Sequence, residues 1–83
     1  MNAVKDRAQE YDEVELLTDR PDWNLSRGVR GVVVGVIAGE DFVTVEFFDG
    51  DETVGVHLVP LALLRVTARY ARIPSRPDQS ATA

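Results

Sequence analysis

Hydrophobic and polar positions divide the chain into a polar opening, five short apolar segments and a polar end. Residues 1–9 carry no period and predict a flexible leader, with at most one marginal helical turn. From Asp12 to Leu17 the pattern alternates, Val14 and Leu16 on one side against Glu13 and Glu15 on the other, as in a half-buried strand. The stretch Thr18 to Gly28 is rich in turn formers yet carries Trp23 and Leu25, so it predicts a long loop folding back on the core.

Three segments dense in Val, Phe and Thr follow, Arg30 to Ala38, Phe42 to Phe48 and Thr53 to Val59, separated by Gly39-Glu40 and Asp49-Gly50. They predict a three-stranded meander. A two-residue turn at Asp49-Gly50 sets Val45 opposite Val54 and Val43 opposite Val56; one at Gly39-Glu40 sets Val36, Val34 and Val32 opposite Val43, Val45 and Phe47. On this register those valines and Phe47 face inward, and Val33, Ile37, Phe42, Phe48 and His57 face outward. Val59-Pro60-Leu61-Ala62-Leu63 breaks the pattern at a proline without an N–H and predicts a short 3₁₀ turn. Leu64 to Thr67 then supplies a last short strand. The expected organisation is a leader over 1–9, a folded unit over 10–67 and a basic, disordered tail over 68–83.

Five short strands, a long first loop, tight hairpins and a 3₁₀ turn before the last strand resemble a small all-β SH3-like barrel over residues 11–67. The Gly28-x-x-Gly31-x-Val33 element and the Val45-Glu46-Phe47 hairpin with Asp49-Gly50 and Glu52 look like those of a family of short, uncharacterised bacterial proteins. More distantly, the glycine element is similar to the KOW element of translation and transcription domains. The resemblance implies a fold and no activity, because barrels of this type host many unrelated functions. The KOW likeness implies contact with RNA or a ribosomal protein, for which only Arg27 and Arg30 lie close by.

Composition narrows the function classes. At 83 residues, a chain buries only about 60–65% of the surface its unfolded form exposes, which leaves little room for a deep catalytic cleft. Lys plus Arg number 9 against 14 Asp plus Glu, a net charge of −5, with no cysteine. Residues 10–67 carry −8, the leader +1 and the tail +2, so the barrel surface is a poor match for a phosphate backbone. No run approaches the roughly 18–20 apolar residues that span a bilayer, and no apolar segment follows the first charges as in a secretory signal. Expectations are therefore a cytoplasmic location, no membrane partner, and, from arginine in place of lysine with abundant Val and Ala, a bacterial source.

Candidate chemistry is sparse. Asp49, Asp51 and Glu52 crowd one hairpin without the ligand spacing of a calcium loop. His57 is the lone histidine and Ser26, Ser75 and Ser80 the only serines, so no pairing of nucleophile and base is in view. The expectation is a non-catalytic module with no cofactor and no metal. Trp23 is read as capping one end of the barrel. The outward face carrying Ile37, Phe42, Phe48 and His57, together with Trp23, is the candidate partner-binding surface; the alternative is that the first loop, last strand or tail covers it. Its occupant would be a protein, a basic one given the charge, or a second copy of the chain. One form of such a module is the immunity or antitoxin half that neutralises a basic toxin. The alternative function is a KOW-like nucleic-acid or ribosome-associated module.

Overall fold

A computed structural model describes residues 7–70. The chain forms five strands, β1 (Glu13–Leu16), β2 (Arg30–Val36), β3 (Phe42–Asp49), β4 (Glu52–Pro60) and β5 (Leu64–Ala68), with 3₁₀ turns at Pro21–Trp23 and Leu61–Leu63. All pair antiparallel in one sheet of order β4-β3-β2-β1-β5. The expected all-β architecture, the β2-β3-β4 meander and the 3₁₀ turn before the last strand are all present.

Alternation places the core. Val14 and Leu16 of β1 and Val43, Val45 and Phe47 of β3 are buried, as their spacing predicts. Leu25 is buried and Trp23 packs beside it, so the long loop does fold back. It is closed by reciprocal backbone hydrogen bonds between Arg20 and Leu25, with Asn24 in the left-handed region at φ 59° ending the first 3₁₀ turn.

The register of β2 and β4 corrects the sequence reading. Val36 does face Val43, but Val34 is an extra residue in a β-bulge, so Val33 faces Val45 and Gly31 faces Phe47. Val33 is fully buried and Val34 is exposed, the reverse of expectation. The space opposite Phe47 explains why. A Cβ on Gly31 would lie 2.6 Å from Val45 Cγ1 and 2.9 Å from the Glu46 carbonyl, so no valine fits there. On the other side the hairpin turns at Gly50-Asp51 rather than Asp49-Gly50, with Gly50 at φ 65°, and Val54 is a second bulge residue. Val45 therefore faces His57, and Val43 faces Val59. Val54 and Val56, expected inside, are exposed; Val59 is buried and His57 turns toward the core side.

The packed unit also reaches past its expected ends. Ala8 is buried against the core, and Asp12, 0% exposed, gathers both ends of the described chain. Its carboxylate accepts hydrogen bonds from the Gln9 N–H at 2.8 Å, the Arg69 guanidinium at 2.9 Å and the Tyr70 N–H at 2.9 Å. Tyr70 meets Tyr11 edge-on at 5.4 Å. The rest of the expected leader and tail, residues 1–6 and 71–83, lies outside the described residues.

Candidate interaction surface

The five sequence-derived surface residues do not form one patch. Trp23 lies flat on His57, ring centroids 4.3 Å apart and planes 13° from parallel, and the Arg20 guanidinium covers Trp23 at 3.7 Å. Arg20 is itself held by both carboxylate oxygens of Asp22, at 3.0 and 2.7 Å. That pair raises the pKa of Arg20 and lowers that of Asp22, in each case first through the hydrogen bond. The three-layer stack pins the first loop to β4. His57 is thereby spent on internal packing, and a Cβ on Gly55 would meet its Nε2 at 2.7 Å.

Phe42 and Phe48 do lie on the outer face, at opposite ends of β3 and about 20 Å apart by strand rise. Phe42 faces Pro60, and Ile37 sits past the end of β2, 52% exposed, outside the strand pairing. Between the two phenylalanines the outer face carries Val56, which the sequence reading had turned inward, and Leu58. Leu58 lies beside Thr44 and Val56 beside Glu46. Leu58 is 56% and Val56 54% exposed. The two-residue turn expected at Asp49-Gly50 is what argued against this arrangement in the sequence; the turn at Gly50-Asp51 and the bulge at Val54 remove it.

Charge singles out the same hairpin. From Asp41 to Pro60 the chain has Asp41, Glu46, Asp49, Asp51 and Glu52 and neither lysine nor arginine. Asp41 faces Arg7 at 3.5 Å and Glu46 accepts a hydrogen bond from the Thr53 hydroxyl at 2.6 Å. Asp49, Asp51 and Glu52 have no ion-pair partner among the described residues. Beside them an open cleft of about 660 Å³ separates the first loop from the hairpin, lined by Asn24, Ser26, Arg30, Phe48, Asp49 and Val54. Across the sheet, Glu15 of β1 accepts a hydrogen bond from Arg65 of β5, which holds its carboxyl below the ordinary value.

Among the described residues no group of three or more His, Cys, Asp or Glu side chains could hold a metal ion. None of them forms a helix long and apolar enough to cross a membrane. Residues 10–62 match the family described as Domain of unknown function (DUF4926). The chain belongs to that family. The DUF4926 match takes in the first four strands and the 3₁₀ turn up to Ala62, and stops short of β5. An uncharacterised family is what the resemblance implied. No curated protein and no solved structure matches the chain.

Proposed function

We propose that this chain is a non-catalytic, cytoplasmic protein-interaction module that receives a basic protein partner on the outer face of the β3–β4 hairpin. One observation carries the reading: exposed Val56 and Leu58 stand on a hairpin with four carboxylates and no lysine or arginine. Apolar contacts supply affinity and the carboxylates steer a positive partner and select against acidic ones. An immunity or antitoxin protein that blocks a basic toxin is one form of such a module. Catalysis finds little support, because the lone histidine is stacked under Trp23. The nucleic-acid alternative is weakened by the role of Gly31, which serves the packing of Val45 and Phe47.

The test is retention of partners from the source cell on tagged full-length chain, compared with Leu58→Glu and Phe42→Asp variants. A basic protein held by wild type, lost from the variants and released by moderate salt is the expected result. An RNA held at moderate salt and lost on Arg27→Ala or Arg30→Ala would establish the nucleic-acid reading instead. Light scattering on the same samples reads the assembly state, and a dimer abolished by Phe42→Asp would make the face a self-interface.

A further inference from the structure

We infer that the partner binds by strand addition, an extended segment with apolar residues at alternate positions and a basic cluster at one end pairing with the outer edge of β4. This rests on the reading of a basic protein partner and specifies how it docks. β4 ends the sheet, bonded to β3 on one side. Among the described residues no backbone hydrogen bond from any other element reaches Glu52–Pro60. Strand geometry turns alternate N–H and C=O groups of such an edge away from its neighbour, ready for another chain.

Proteins usually blunt a long edge with lysine, proline or a bulge. Here the bulge at Val54 and Pro60 guard only the two ends. The middle, Gly55 to Val59, has no lysine, arginine, aspartate or glutamate, and its His57 is stacked against Trp23. Val56 and Leu58 on the outer face suit the apolar positions of an added strand. Its cations, gathered at one end of the segment, would meet Asp49, Asp51 and Glu52 at the hairpin end. The same carboxylates disfavour a second copy of this hairpin in that place.

A synthetic peptide with valine at alternate positions, serine between them and an arginine cluster at one end, added to the full chain, tests the inference by amide chemical shifts and anisotropy. Binding is expected, with shifts concentrated on Gly55 to Val59. A peptide of the same side chains N-methylated at its central amides should bind about tenfold or more weakly, because it cannot form the ladder. Val56→Lys should weaken binding similarly, whereas Leu17→Lys, an equal charge change at an exposed site off the hairpin, should not. Equal binding of the methylated peptide would overturn strand addition while leaving a basic partner in place. No binding by either peptide at low salt would remove both. Slow exchange of the outward β4 amides in the unliganded chain would also overturn the inference, since the edge would already be occupied by this chain or its copy.

Discussion

Asp12 illustrates how much one residue can hold in a small fold. A carboxylate withdrawn from water must recover its hydration through partners, and Asp12 does so with two backbone N–H groups and one guanidinium. Removing the side chain leaves the N–H groups of Gln9 and Tyr70 without that acceptor. Asp12→Ala should therefore cost about 2–4 kcal/mol in chemical denaturation. Arg69→Ala keeps both backbone donors on the carboxylate and removes a half-exposed partner, so a loss of about 1–2 kcal/mol is expected. Equal losses would mean that charge compensation, rather than backbone capture, secures the carboxylate. Nothing local marks Asp12 in the sequence, where it is one acid among several before the first strand. Its importance comes from Arg69 and Tyr70, which only the pairing of β5 with β1 brings near.

At the scale of elements, legibility follows how many registers a strand's pattern allows. β1 and β3 alternate apolar with polar or aromatic positions, so Val14 and Leu16, and Val43, Val45 and Phe47, have one plausible inward side. β2 reads Val32-Val33-Val34, apolar at either parity, so a one-residue slip leaves the pattern equally good and the decision falls to Gly31 against Phe47. β4 was misread because a turn shifted to Gly50-Asp51 and a bulge at Val54 together move its register by an odd number of residues. The outer face was thus legible as apolar and around Phe42 and Phe48, while its β4 members were not. The bulge can be tested directly: Val33→Ala should cost about 2–3 kcal/mol and Val34→Ala under about 1 kcal/mol, read from urea midpoints. The opposite order would restore the regular register. The tie between β1 and β5 has a pH signature. Because Arg65 holds the folded-state pKa of Glu15 below its ordinary 4.5, the pair contributes stability above that value. The contribution is lost as pH falls from about 5 through the folded value. Arg65→Gln should flatten that part of the acid limb in a pH series of thermal melts, modestly, since the arginine is mostly exposed.

For the whole molecule, charge and closure are linked. Residues 7–70 hold twelve acids against six arginines, and four of those arginines are committed to Asp41, Asp22, Glu15 and Asp12. Two of the pairs, Arg65 with Glu15 and Arg69 with Asp12, join the last described segment to the first strand region, so the scarce positive charge is used to hold β5 on β1 and the hairpin is left negative. Closure needs β5, which covers β1 from Glu13 to Leu16 and lies beyond the DUF4926 match. A chain cut after Ala62 leaves β1 as an edge and uncovers Val14 and Leu16, and it should show no cooperative thermal transition. Two longer cuts isolate the Asp12 clasp, since neither contains residues 71–83. The chain ending at Ala68 lacks Arg69 and Tyr70 and should be less stable than the chain ending at Tyr70 by about 1–3 kcal/mol. In the shorter chain Asp12→Ala should add little further loss, because its main long-range partners are already gone, whereas in the longer chain it should cost nearly its full amount. If the two chains melt together, or if Asp12→Ala costs the same in both, the ends are not closed through Asp12.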